Sequence, residues 1–273
     1  MPASSVNAGT YTITVELKGK YRGTATATYR ILPKKVTPSV TLSASSFVYN
    51  GGVRRPAVTV KIGKTVVPAS GYTLSIPRSI NTGTYTATVS LKGNYAGTAK
   101  AVYKITPKKV TPAVTLAAKN LTYNGKVRRP VVTVKIGKTV MPASTYTVTY
   151  AGGRKNVGTY TVTVKMKGNY TGTAVAKFII TPAPTTLTRF KGISGKLAFD
   201  VRWKKQAVQT TGYQLQYSTD RNYKKNVKTV TVKGPQNVKK TITGVKGGKY
   251  YYIRIRTYKT VSGKNYYSGW KNW

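Results

Sequence analysis

The chain has 273 residues, of which 47 are Lys or Arg and only three are acids, with no His and no Cys, so its formal net charge is +44. A small domain stays soluble with a net charge of about 2 to 8, so this fold must bear strong self-repulsion and draw its stability from apolar burial, backbone ladders and counter-ions. Disulfides, thiolate metal sites and His-based catalysis are excluded, and a hydrophobic fraction of 40% rich in Val, Ile and Tyr excludes a disordered basic tail.

The start, Met1-Pro2-Ala3-Ser4-Ser5, lacks the basic and apolar regions of a signal peptide, and no window approaches the length of a membrane span. The segment from Lys34 to Pro107 recurs from Lys108 to Pro182 at an offset of 74, then 75 after a one-residue insertion. Tyr49-Asn50-Gly51 returns as Tyr123-Asn124-Gly125, and Arg54-Arg55-Pro56 returns as Arg128-Arg129-Pro130. The closing half, from Gly83-Thr84-Tyr85 to Pro107, returns from Gly158 to Pro182, and a third copy of it opens the chain from Gly9-Thr10-Tyr11 to Pro33. Residues 1–33 are therefore expected to be the C-terminal half of a repeat, which makes the missing leader and anchor a matter of where the chain was trimmed. Period-two alternation, as in Tyr160, Val162, Val164 and Met166, predicts half-buried antiparallel strands. With turn signals every 8 to 12 residues or so, the pattern predicts Ig-like β-sandwiches. A period near 74 exceeds a solenoid unit, so each full copy, 34–107 and 108–182, is expected to own its core.

The segments Tyr123-Asn124-Gly125-Lys126, Pro130-Val131-Val132-Thr133-Val134, Asn156-Val157-Gly158-Thr159-Tyr160 and Lys167-Gly168-Asn169-Tyr170-Thr171-Gly172 resemble bacterial Ig-like surface repeats of the Firmicute type. The resemblance implies spacer and adhesive modules at the cell surface or outside the cell and brings no catalytic or binding residue with it. Members of that family usually carry acids before the central Tyr, where this chain has Met141-Pro142-Ala143-Ser144-Thr145-Tyr146. Acids are removed here as well as diluted.

After the hinge Thr181-Pro182-Ala183-Pro184 a different strand set begins, with Leu197, Phe199, Val201 and Trp203 alternating, then Tyr213, Leu215 and Tyr217. Residues 183–273 resemble a fibronectin type III domain, which implies Trp203 in the core and Tyr251 as the tyrosine-corner residue. Such a domain has a further strand after the Tyr266-Tyr267-Ser268-Gly269-Trp270 element, yet the chain ends at Trp273. The final strand is expected to be missing, leaving a bare edge, and bare edges at both ends invite self-association. The predicted fold class is all-β: tandem Ig-like sandwich repeats followed by a fibronectin type III-like sandwich.

Chemistry is hard to place on this chain. General acid–base catalysis needs a group that titrates near neutral pH, and Glu16 is two repeats away from Asp200 and Asp220. Asp200 falls on an outward strand position and Asp220 in a Ser-Thr-Asp-Arg-Asn turn, where a side chain bonding its own backbone is the plain reading. No cofactor or metal is expected and the chain reads as a non-enzyme.

Lys and Arg number 4 in residues 1–33, 10 in 34–107, 13 in 108–182 and 20 in 183–273, so every part is basic and an extended sticky surface is favoured over one pocket. Two denser features stand out. Arg54 and Arg55, and their counterparts Arg128 and Arg129 with Lys126, offer paired guanidiniums; Tyr252, Arg254, Arg256 and Tyr258 are expected on one outward strand face. Guanidinium forks take sulfate, phosphate or carboxylate in pairs, and tyrosines stack on sugar or base. The expected partners are polyanions, such as teichoic acid, glycosaminoglycan, mucin or a DNA or RNA backbone, and negatively charged cell surfaces. Many weak charges acting together release counter-ions, so binding should fall steeply with salt. Two alternatives stand beside an adhesive module: a supercharged carrier, selected or engineered, that complexes nucleic acid and enters cells, and a passive spacer from a secreted enzyme.

Overall fold

A computed structural model describes residues 6–273; the start read above at residues 1–5 lies outside them. Among the described residues the chain divides into one compact unit that runs to Val110 and includes Lys167–Thr171, and a second of Thr111–Met166 with Gly172–Trp273.

The first unit opens with an antiparallel hairpin, β1 (Gly9–Glu16) and β2 (Thr24–Ile31), in register from Gly9 opposite Ile31 to Glu16 opposite Thr24. Among the described residues no further strand pairs with either edge, and Val15 on its apolar face stays 56% exposed. The full repeat follows as β3 (Lys34–Lys35), β4 (Ser39–Leu42), β5 (Ser46–Val48), β6 (Val58–Ile62), β7 (Thr65–Val66), β8 (Tyr72–Ser75), β9 (Gly83–Leu91), β10 (Tyr95–Ala96) and β11 (Thr98–Thr106). A β4-β6-β7 sheet packs on a β5-β11-β9-β8 sheet. Val60 meets Val89 and Leu91 between them. Val89, the counterpart of Val15, is fully buried, a difference of about 1.5–3 kcal/mol in transfer free energy for a side chain of that kind.

The next copy supplies β12 (Lys108–Lys109), β13 (Ala113–Leu116), β14 (Asn120–Thr122), β15 (Val132–Ile136), β16 (Thr139–Val140), β17 (Tyr146–Tyr150), β18 (Gly158–Met166), β19 (Tyr170–Thr171) and β20 (Thr173–Thr181). In the second unit its β13-β15-β16 sheet faces a β14-β20-β18-β17 sheet around Leu116, Val162, Phe178 and Ile180. The expectation of antiparallel strands needs correction at four pairs, of which the short β3–β10 and β12–β19 pairs are two. β5 pairs in parallel with β11, and β14 in parallel with β20, because the chain switches sheets across Ser43-Ala44-Ser45 and its counterpart and arrives running alongside the last strand.

The Asn-x-Gly-Thr-Tyr element found in all three copies has a mechanical explanation. Tyr11, Tyr85 and Tyr160 each donate their hydroxyl to the carbonyl of the Asn four residues earlier, Asn7, Asn81 and Asn156, at 2.7, 2.7 and 2.8 Å. Each ring lies over the intervening Gly, where a Cβ would come within 3.3–3.4 Å of the phenol. The anchored Asn then joins a two-bond amide clasp. Asn94 accepts from Ala8 N and donates to Asn7 Oδ1, and Asn169 accepts from Thr82 N and donates to Asn81 Oδ1. At the third copy Gln209 does the same for Val157 N and Asn156 Oδ1.

The rest of the second unit is a sandwich of β21 (Leu187–Gly192), β22 (Ala198–Trp203), β23 (Gly212–Ser218), β24 (Lys228–Lys233), β25 (Lys239–Thr243), β26 (Tyr252–Val261), β27 (Lys264–Tyr267) and β28 (Lys271–Asn272). A β21-β22-β25 sheet covers one built on β24-β23-β26-β27, and Val201, Trp203, Tyr213, Leu215, Ile242, Ile253 and Ile255 fill the space between. Tyr251 accepts a 2.9 Å bond from the amide of Lys246, five residues upstream, as a tyrosine corner does. The missing final strand is not what is found: β27 pairs with β26 at Tyr258–Val261 and β28 pairs with it at Arg254–Ile255. The last strand is broken in two around Ser268-Gly269-Trp270, and the bare edge expected on β26 is occupied.

Candidate polyanion-binding surface

The two Arg doublets do not present paired guanidiniums. Strand-like alternation turns Arg54 and Arg128 partly inward while Arg55 and Arg129 stay exposed, and Pro56 and Pro130 behind them are buried. The Arg54 guanidinium lies 5.8 Å from the Phe47 ring centre, with its amide bonded to the Ser79 carbonyl. Arg128 bonds its amide to the carbonyl of Arg154 in the same way. Lys126 is exposed in the turn that Asn124 Oδ1 closes by accepting the Lys126 amide at 3.1 Å, with Gly125 at φ +75. Each repeat thus offers single outward cations, Arg55 in one and Lys126 and Arg129 in the other.

On β26 the predicted outward face is present but enclosed. Arg254 stacks between Tyr223 at 4.0 Å and Trp270 at 4.6 Å, and Arg256 between Tyr267 at 3.8 Å and Trp270 at 4.2 Å. Gln216 Oε1 accepts two bonds from Arg254, and Gln214 Oε1 two from Arg256. Burial lowers the pKa of Arg256 from its ordinary value. Both forks are therefore occupied by protein atoms, with planar groups above and below them, an arrangement that clothes the sheet more than it opens it to a ligand. Tyr258 is buried, contrary to its predicted exposure. It lies over Gly212, whose missing side chain leaves the space, and beside Tyr267 across the ladder.

Tyr252 lies elsewhere. It lines a cleft of about 790 Å³ with Tyr217, Lys228, Lys246, Lys249 and Tyr250, in which Tyr250 is 90% exposed and no acid takes part.

A second cleft, about 840 Å³, spreads over the outer face of β21-β22-β25 and is lined by Arg189, Lys191, Asp200, Arg202, Lys239 and Lys240 among others. Register places Arg189, Arg202 and Lys239 side by side across three strands, and Lys191, Asp200 and Thr241 in the neighbouring row. Asp200 Oδ2 takes Arg189 Nε at 2.6 Å and Arg202 Nη2 at 3.1 Å; Arg202 Nε also donates to Asp200 at 3.2 Å. The hydrogen bond from Arg202, aided by the positive charge of both arginines, holds the carboxyl below the usual carboxylate range. Sequence reading passed over this group because its members come from three strands. The i, i+2 spacing of Asp200 and Arg202 was the one local signal. Asp220, by contrast, does what its turn predicts, accepting the amides of Asn222, Lys224 and Lys225.

Residues 112–184 match the family described as MBG domain. No curated protein sequence matches the chain. Among solved structures it is similar to the FN1–FN3 domains of chicken CNTN1, at 14% identity and a TM-score of 0.28 over 88% of this chain and 98% of that one. It is also similar to domains from titin, at 12% identity and a TM-score of 0.24 over 86% and 98%. A third similar structure is a tetra-tandem repeat from the extending region of a large adhesion protein, at 10% identity and a TM-score of 0.42 over 97% and 81%. The architecture described above is an all-β series of Ig-like and fibronectin type III-like sandwiches, and one segment of it carries the MBG-domain match.

Proposed function

We propose that the chain is a non-catalytic adhesive module of a bacterial cell surface that binds polyanions through distributed positive charge. One observation carries this reading: the ion pairs among the described residues all converge on Asp200, while basic side chains cover every sandwich at a net charge of +44. Each exposed cation is worth little alone, since two unit charges about 4 Å apart in water interact by about 1 kcal/mol. Their sum against a polymer of like-charged groups is gained through counter-ion release. The enclosure of Arg254 and Arg256 shifts the reading away from one outward arginine face and toward many separate contacts.

A salt series with heparin, duplex DNA, a wall teichoic acid and a neutral glycan tests it. All three polyanions should bind near 50 mM salt and lose about a thousandfold or more in affinity by 200 mM, and the neutral glycan should not bind. Absence of polyanion binding at the lowest salt would leave a spacer.

A further inference from the structure

The chain has three acids, and one of them stands between two arginines on an open sheet face. In a fold short of negative charge this placement does two things. It relieves the repulsion between neighbouring guanidiniums, and it uses the Nε edge of each, so that each plane is fixed and its remaining N–H groups are free for a ligand. Lys239 extends the row, and Lys191 and Lys240 flank it. Adjacent strands lie about 4.8 Å apart, so the row sets three cations across about 10 Å; same-face neighbours along a strand add a second rank about 7 Å away. Arg189 and Arg202 are 47% and 55% exposed.

We propose that the β21-β22-β25 face is a dedicated site for a sulfated glycan. This deepens the polyanion reading and rests on it. The chemistry of the lining favours a glycan over nucleic acid. The cleft includes Ser194 and Thr241 hydroxyls and the backbone at Gly192, but no aromatic ring. Single-stranded nucleic acids are held by stacking bases on aromatic side chains beside a basic groove, and reading a duplex requires an element that enters a groove. A flat pleated face with two fixed forks and a lysine suits closely spaced sulfates on a chain of hydroxylated rings. Tyr250 and Tyr252, the exposed rings of this sandwich that border lysines, lie in the other cleft.

The experiment uses the whole chain and a heparin decasaccharide in about 0.3 M salt, with calorimetric or fluorescence titration. The double variant Arg189→Lys/Arg202→Lys keeps the net charge and removes both forks. It should bind about tenfold more weakly, which is about 1.4 kcal/mol. The control Lys64→Gln/Lys138→Gln/Lys167→Gln removes three turn charges and should change affinity by less than about twofold, because charges outside the contact release no counter-ions. Equal effects of the two variants overturn the site and leave distributed binding intact. If wild type does not bind heparin even at 50 mM salt, the polyanion reading itself fails. An oligothymidylate that competes as well as the decasaccharide, and loses affinity in the same double variant, would overturn the assignment to a glycan. Competition that instead depends on Tyr250 and Tyr252 supports a separate use of the other cleft and leaves this assignment standing.

Discussion

On one face of the C-terminal sandwich Arg254 and Arg256 are interleaved with Tyr223, Tyr267 and Trp270 and have their forks taken by two glutamines; on the opposite face Arg189 and Arg202 share a single carboxylate and remain about half exposed. Both pairs are arginines on outward strand positions. What separates them is the neighbour each finds across the ladder. Gln216 and Gln214 stand directly opposite Arg254 and Arg256, and the broken last strand folds Trp270 over both. No ring lines the β21-β22-β25 cleft, where a side chain from a third strand extends the row of charge. An arginine between rings contributes to the stability of its sheet, and an arginine beside a carboxylate in the open stays available to a ligand.

The comparison can be broken most directly at Trp270. Replacing it with Ala removes the ring between both guanidiniums, two contacts worth about 1 kcal/mol each at partly buried sites. The C-terminal domain should melt about 10 °C lower by calorimetry, with heparin affinity within about twofold of wild type. Loss of binding without loss of stability would reverse the roles assigned to the two faces. Arg189→Lys/Arg202→Lys should give the mirror result, a melting shift within about 3 °C, because exposed ion pairs contribute little to stability.

A smaller effect is expected from acid. Asp200 and Asp220 both have folded pKa values below their ordinary ones, through the arginines and through backbone amides respectively. Their contribution is therefore full above about pH 4, the unfolded value, and is lost as pH falls through the folded values. The melting temperature should be flat from pH 8 to pH 5 and decline only below about pH 4, and Asp200→Asn/Asp220→Asn should flatten that decline. A transition near pH 6 would contradict it, since the chain has no His.

Strand alternation, the two-and-a-half copies of the repeat, the turn role of Asp220 and the corner made by Tyr251 were all legible because each depends on residues close in sequence. The doublets misled for the same reason: adjacent residues on an extended chain point to opposite sides, so Arg54 and Arg55 cannot form one site. The Arg189, Arg202 and Lys239 row was hidden because register between residues 13 and 37 apart in the chain decides it. Burial of Tyr258 likewise follows from the glycine at its ladder partner, Gly212, which no local pattern reveals.

The amide clasps of Asn94, Asn169 and Gln209 have a consequence for so basic a chain. Their donors and acceptors are neutral and do not titrate between pH 2 and 12 or so. Ionic strength that screens the surface charges leaves these neutral bonds untouched. The clasps should therefore hold across the range of salt in which contacts made by the surface lysines and arginines weaken.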